Sequence, residues 1–469
     1  MQKLFILLLI IVFSSVNIDA QQTWTLEQCV DYAIENNIQV KQKALNTQMT
    51  ENNLKQSRLN LLPNLNGNVG RNYSFGRAVD PYTNEFNYEN TYNDNYGISS
   101  NLTLFNGFQK LNTIKQNKLN LEADLQDLEK VKNDISLNIA TAYLNILFNE
   151  ELLRIAKDQA AVTKKQAERT QILVDAGSLA MGDLYDIQSQ LANEELNIIT
   201  SQNQLDLSYL DIEQLLNLDS VDGFEIAIPN TESFTETPLP VFEEVLTQSQ
   251  NLPEIKSAEY RLNSAEQSLD IYKGMRYPTL NLTLSYNSGY SGNRKVADGD
   301  PTMTAYPSGY TQSGETVYTY QPQYTYSTKP FSDQLSDNAS TSLGFQLSIP
   351  IFNNWQVNTG IDNAKITVLN TKYSLDLTKQ NLKKEVRQRY TEAIAALKKY
   401  NATDFTLKAM EESFKYTEEK YNNGLVNTVD YNISKNKLIS TKSDLLQAKY
   451  EYIFKIKILD FYMGKKITL

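Results

Sequence analysis

The 469-residue chain contains no histidine and a single cysteine, Cys29. Without histidine, the commonest metal ligand and the commonest general base at neutral pH are missing. One cysteine excludes an intrachain disulfide. In "TLEQCVDY", Glu27 and Gln28 occupy positions that would have to be small for lipidation, so Cys29 reads as a half-buried helix residue. No P-loop, Gly-rich dinucleotide turn or GxSxG motif occurs. The adjacent carboxylates Glu194 and Glu195 fall on a helix face that reads as solvated. An enzyme is therefore not expected, nor a cofactor or metal site. Basic residues are in deficit, with 44 Lys and Arg against 55 Asp and Glu (net charge −11), which argues against nucleic acid as a partner. No run of eighteen apolar residues is present, so no transmembrane helix is expected.

The two ends of the chain differ. Lys3, the apolar run Leu4–Phe13 and a polar stretch to Ala20 have the form of a secretory signal peptide, expected at 1–20 with cleavage near Ala20. The apolar run is about half the length a spanning helix needs. Beyond it the chain is duplicated. "DAGSLAMGDL" (Asp175–Leu184) and "NNGLVNTVDY" (Asn422–Tyr431) share a glycine followed six residues later by an aspartate, at an offset of 247 (424 − 177 and 430 − 183). "TLFNG" (Thr103–Gly107) matches "PIFNN" (Pro350–Asn354) at the same offset. "LPNLNGNV" (Leu62–Val69) matches "YPTLNLTL" (Tyr277–Leu284) at 215 (277 − 62). The second half thus carries 32 extra residues (247 − 215) between the two motifs, in a Tyr-, Ser-, Gly- and Pro-rich stretch at roughly 288–340 that reads as loop. The first repeat is expected at 21–238, with strands at about 63–76 and 96–106 and a tip at 177–183. The second is expected at 239–469, with strands at about 278–287 and 341–352 and a tip at 424–430.

Periodicity gives the elements. Before the first glycine a 3-4 spacing selects Leu153, Ala156, Ala160, Thr163, Ala167, Thr170 and Val174, and after it a spacing of seven selects Leu184, Leu191, Ile198, Leu205 and Ile212. The second copy repeats both patterns. This is coiled-coil patterning on either side of a break, so each glycine caps a helix at the tip of an antiparallel hairpin. The stretch from Gly107 to Gly177 has no internal Gly or Pro and reads as one helix of roughly 100 Å at 1.5 Å per residue. Each return helix is much shorter. The expected completion stacks the first return helix on the helix at 240–275, and the second on the N-terminal helix at 24–60. Four segments instead alternate with period two. "SLGFQLSIPI" puts Leu343, Phe345, Leu347, Ile349 and Ile351 on one face, and "TLNLTLSY" opposes Leu280, Leu282, Leu284 and Tyr286 to Asn281, Thr283 and Ser285. The alternative is an ordinary half-buried soluble sheet, which the signal peptide and the long Tyr-rich loops disfavour; apolar-out, small-polar-in strands of about ten residues describe a membrane barrel wall. Four strands cannot close one, and open edges do not survive in lipid, so the chain must oligomerise. Two copies would supply eight strands and three would supply twelve; the need for a lumen leans toward three.

A signal peptide, "WTLEQCVDYAIENN" at the mature start, two P-x-L strand entries, two FN strand exits and two G-x5-D tips together resemble the TolC-like outer-membrane efflux proteins, the outer membrane factors. The resemblance covers nearly all of the mature chain. It implies a mainly α protein with a β-barrel: an internally duplicated chain whose long antiparallel coiled-coil hairpins form a periplasmic α-barrel, and whose four strands join those of two other copies in a trimeric 12-stranded transmembrane β-barrel. It also implies location in the cell outer membrane and partners in outer-membrane lipid, a periplasmic adaptor protein and an inner-membrane transporter. The function implied is an export channel for small molecules or proteins in a tripartite efflux or type I secretion system. At the tips the resemblance assigns Gly177, Leu179, Gly424, Leu425 and Val426 to adaptor contact, and Asp183, Asp186, Asp430 and Tyr421 to the periplasmic entrance. Some members carry a basic latch residue where this chain has Val426, and Ile433 stands opposite Asp186 in the second copy. A ring of aspartates would concentrate cations, although an acid in a helix's first turn also satisfies the local dipole. The competing reading is a secreted or surface helical adhesin without a pore, which explains the heptads but not the paired strands.

Overall fold

The computed structural model describes residues 23–79, 86–88, 90–218, 224–228 and 238–466. The expected signal peptide lies outside the described residues. The chain divides into two units. Of the described residues, those within Met1–Glu51, Leu119–Ser264 and Leu369–Leu469 form one unit, which is mainly helical; those within Asn52–Lys118 and Ala265–Val368 form the other, which holds the main sheet.

In chain order the elements are β1 (Thr23–Trp24), α1 (Leu26–Asn36), α2 (Ile38–Leu59), β2 (Asn66–Ser74), β3 (Ala78–Val79), β4 (Phe86–Asn87), β5 (Thr91–Asn106), α3 (Gln109–Asp175), α4 (Met181–Leu216) and β6 (Glu225–Ile226). There follow α5 (Phe242–Ser249), α6 (Pro253–Gly274), β7 (Thr279–Ser291), β8 (Lys295–Tyr310), β9 (Thr316–Thr328), α7 (Phe331–Asp337), β10 (Ser340–Ser348), α8 (Gln356–Asn422) and α9 (Thr428–Tyr462). The helices α3 and α8 are both 67 residues long, at an offset of 247 (356 − 109). The helices α2 and α6 are both 22 residues long, at an offset of 215 (253 − 38).

In the helical unit, the expected stacking is corrected. The helix beside the end of α4 is α1, not α5. The side-chain amide of Asn37 donates to the Leu215 carbonyl at 2.9 Å, and β1 pairs in parallel with β6. Tyr143 of α3 seals the junction by donating to the carbonyls of Trp24 and Ala227. One buried cluster gathers Leu26, Cys29 and Ala33 with Ile139, Ile146 and Ile212. A second gathers Val245 and Ile255 with Leu382, Val386 and Leu459, joining α5 and α6 to the end of α9. Each return helix thus stacks with the short helices of its own half. The heptads of the long helices do not encode which short helix meets which return helix; non-periodic contacts such as Asn37–Leu215 mark the partner. Cys29 is fully buried, rather than half-buried, and burial pushes its thiol up to about 12, so it stays protonated and unreactive.

In the second unit, four strands form an antiparallel sheet in the order β10-β7-β5-β2. Register aligns Leu347, Phe345 and Leu343 with Leu280, Leu282 and Leu284, so one face is continuously apolar. Leu284 and the three β10 residues are exposed, Phe345 by 66%, and Leu280 and Leu282 are half-buried. The other face pairs small polar groups, including Ser285 with Ser342 at 2.7 Å and Thr283 with Asn101 at 2.9 Å. At one end of the apolar face, Tyr73, Tyr92 and Tyr290 lie in ring contact. The last strand stops at Ser348, short of the expected 352, because Pro350 cannot donate to a ladder. The stretch read as loop at 288–340 is largely ordered: β8 and β9 form a long hairpin followed by α7. Its Thr/Tyr alternation, "TVYTYQPQYTYST", favours strand despite the prolines.

Candidate functional site

Both hairpin tips belong to the helical unit. Gly177 and Gly424 adopt left-handed conformations, with φ of 69° and 72°. In the first tip the Gly177 N–H donates to the Val174 carbonyl (2.9 Å) and the Ser178 N–H to Leu173 (2.8 Å). In the second, Gly424 donates to Tyr421 (3.0 Å) and Leu425 to Lys420 (2.9 Å). This double bond satisfies carbonyls orphaned at the helix end and turns the chain sharply. Leu425 is 76% exposed, while Leu179 and Val426 are half-buried.

The return helices begin differently. Asn427 caps α9, its side-chain oxygen accepting from the Asp430 N–H at 2.8 Å. Ala180 stands at the same place before α4 and offers no side-chain cap. Asp183 and Asp430 both lie in the first turn, where the helix dipole favours a carboxylate.

The structure brings some of the expected residues together. Thr428 donates to Asp183 at 3.3 Å across the two hairpins, and its hydroxyl lies 3.5 Å from that of Tyr421. Gln166 of α3 donates to the Tyr421 hydroxyl at 3.2 Å. The Tyr421 ring stacks on Tyr431 with centroids 4.5 Å apart, and Phe414 packs against the same tyrosine. Burial pushes the Tyr431 hydroxyl up to about 12, with Glu418 adding to the shift. Asp183 and Tyr421 thus share one contact chain that joins the hairpins. Asp186 and Asp430 are exposed and stand outside it. At Val426 there is no cation, but Arg169 reaches across from α3 to the Asn422 side chain at 3.4 Å.

The sequence reading missed the largest polar feature between the hairpins. Glu194, expected on a solvated face, is 5% exposed, and Lys435 is 4% exposed. Lys435 donates to the Thr163 hydroxyl at 2.6 Å; Thr163 in turn donates to Glu194. Part of the signal was present: Thr163 falls on the 3-4 stripe that otherwise selects mostly apolar residues, and Glu194 lies three residues after Leu191 of the seven-residue repeat, a position on the same helix face. Among the described residues, no group of three or more His, Cys, Asp or Glu is placed to hold a metal, and no helix is long and apolar enough to cross a membrane.

Comparison with known proteins bears on the same architecture. The model of the family described as outer membrane efflux protein matches residues 29–218 and 247–465. Outer membrane protein TolC of Escherichia coli (strain K12) is 24% identical over 382 residues, covering 79% of this chain and 71% of TolC. A crystal structure of CusC superposes with a TM-score of 0.75 at 17% identity, covering 97% of this chain and 96% of that one. The Campylobacter jejuni CmeC outer membrane channel superposes at 0.73 and 15% identity, covering 94% and 86%. At these identities the structural likeness establishes the fold, while the sequence match, spanning both halves, establishes the relationship. The chain belongs to the outer membrane efflux protein family.

Proposed function

We propose that this outer-membrane protein is the export channel of a multicomponent efflux or secretion machine. Three copies close the four-stranded sheets into one twelve-stranded wall and the helical units into one periplasmic tunnel. The observation that carries the reading is the sheet: its apolar face bears the exposed Leu284, Leu343, Phe345 and Leu347, its opposite face is small and polar, and the outer edges of β2 and β10 meet no further strand among the described residues. Such a sheet needs lipid on one side, water on the other and further strands at both edges. The helical unit makes the same demand, since Leu196, Ile199 and Leu207 of α4 and Tyr373 and Phe405 of α8 are exposed apolar residues. The halves 21–238 and 239–469 act as two copies of one wall segment.

In this reading the tips carry the contacts to other components. Gly177, Leu179, Gly424, Leu425 and Val426 present a small, partly apolar surface to an adaptor protein, which in turn links an inner-membrane transporter. Asp183 and Asp430 line the entrance, with Asp186 nearby, and the Tyr421–Thr428–Asp183 chain restrains its opening. The chain's own chemistry is conduction, not catalysis. Single-channel recording in planar bilayers tests this, with the purified protein beside an Asp183→Ala/Asp430→Ala variant. Cation-preferring current steps whose reversal potential moves toward zero in the variant are expected. Unchanged reversal potentials would refute the acidic entrance, and a protein that never inserts would favour the adhesin.

A further inference from the structure

The buried polar cluster, about one to three helical turns beyond the entrance aspartates (435 − 430 and 194 − 183 residues), has a place in that channel. Lys435 projects from α9 into a seam made with hairpin α3–α4. Its ammonium donates to Thr163 of α3, which is fully buried, and lies 3.9 Å from Glu194 of α4. Glu194 also accepts from Gln190 (2.8 Å) and Gln159 (3.3 Å). Glu418 of α8 is a further carboxylate acting on Lys435, and burial pulls the ammonium below the usual lysine range against both acids. Tyr431 sits one turn before Lys435 on α9 and is itself buried.

An apolar seam would hold these helices more firmly, because a buried pair gives back in attraction little more than it loses in hydration. A charged pair at a seam position instead specifies one register and permits a second state in which both charges are wet. The second state has a route to water. Gln159, Gln190, Asn193, Glu194 and Asn436 line a groove of about 510 Å³ that opens beside the cluster.

We propose that Lys435 and Glu194 form a latch between the hairpins, buried and paired when α9 lies against hairpin α3–α4 and hydrated when α9 swings away. They position the entrance and do not themselves contact cargo. The consequence for conduction rests on the channel reading; the latch itself does not.

The test uses the full-length oligomer with paired spin labels at the exposed positions Glu195 and Lys437, read as a distance distribution, together with bilayer current. Glu194→Gln leaves an unpaired buried ammonium, and a longer-distance population at least about tenfold larger than in the parent is expected, with more open time. Glu194→Gln/Lys435→Met removes both charges and fills the seam, so the opposite is expected: one narrow, short distance and less open time. A pair that merely stabilises the fold would give unchanged distances in every folded variant, and that result overturns the latch. Should the single variant not fold, an unchanged distribution and current in the double variant overturns it alone. Shifted distances without any current in any protein would support the latch and refute the channel; altered current at fixed distances would refute the latch.

Discussion

Two glycine-to-alanine substitutions separate the two ways this chain uses glycine. Gly424 has φ of 72° and open space where a Cβ would point. Alanine there costs only the left-handed conformation, about 1–2 kcal/mol. That cost falls on the Leu425–Lys420 and Gly424–Tyr421 bonds that close the tip, and it corresponds to roughly 5- to 30-fold faster amide exchange. Gly107 also has positive φ, 62°, but its added Cβ would overlap the Gly274 carbonyl oxygen and stand 2.9 Å from the Tyr277 Cβ. The opposing atom is backbone, and Gly274 is equally constrained, since a Cβ on it would stand 2.5 Å from the Gly107 oxygen. Overpacking of about 1–3 kcal/mol or more adds to the conformational cost. Hydrogen-exchange mass spectrometry reads both. Gly424→Ala should loosen peptides across the tip and leave β5 and β7 protected, and Gly424→Asn should fall between it and the parent, because asparagine tolerates this region. Gly107→Ala should strip protection from β5, β7 and the start of α3, or abolish folded yield. Equal effects of the two alanines, or an unaffected tip in Gly424→Ala, would rule out these distinct roles for the two glycines.

Two further outcomes follow from the same contacts. Phe345→Arg places a charge on the exposed apolar face and should cost about 2–4 kcal/mol of folding into vesicles if that face meets the bilayer midplane, whereas Thr283→Arg on the polar face should insert normally; equal behaviour would contradict the assigned faces. Asp127 is partly buried, which alone would raise its pKa, but hydrogen bonds from Ser257, Lys43 and Arg261 outweigh this and hold it below the usual carboxylate range. A depressed folded-state pKa contributes stability above the unfolded value of about 3.9 that is lost as pH falls through the folded one. Thermal melts followed by circular dichroism should therefore drop below about pH 4, with a shallower acid slope in Asp127→Asn; identical slopes would discount the cluster.

Much of the architecture is legible in the residues because it is local. The turn geometry follows from Gly177 and Gly424, the strand faces from alternation at Leu280–Tyr286 and Leu343–Leu347, and the duplication from constant offsets. What was not legible is non-local or overridden by context. The stacking of α1 on α4 depends on Asn37, Tyr143 and the short β1–β6 pair, none of which has a periodic signature. The burial of Glu194 depends on Lys435, which lies in the other half of the chain. The β8–β9 hairpin was hidden by Pro307 and Pro322, which a two-stranded ribbon with open edges accommodates. At the tips, the repeat spacing singled out Asp183 and the family resemblance singled out Tyr421, but neither pointed to Thr428, the hydroxyl that connects them.

In the channel proposed here, copies of this chain meet edge to edge and close. Cysteine placed at Asn68 in β2, and in turn at Ser342, Gly344 and Gln346 in β10, tests it in the native outer membrane under mild oxidation, with buried Cys29 left in place. One pairing should yield covalently linked dimers and trimers on denaturing gels and nothing larger, since a closed ring of three exhausts its edges. Monomer alone for every pairing, or a ladder that continues past three, would contradict it.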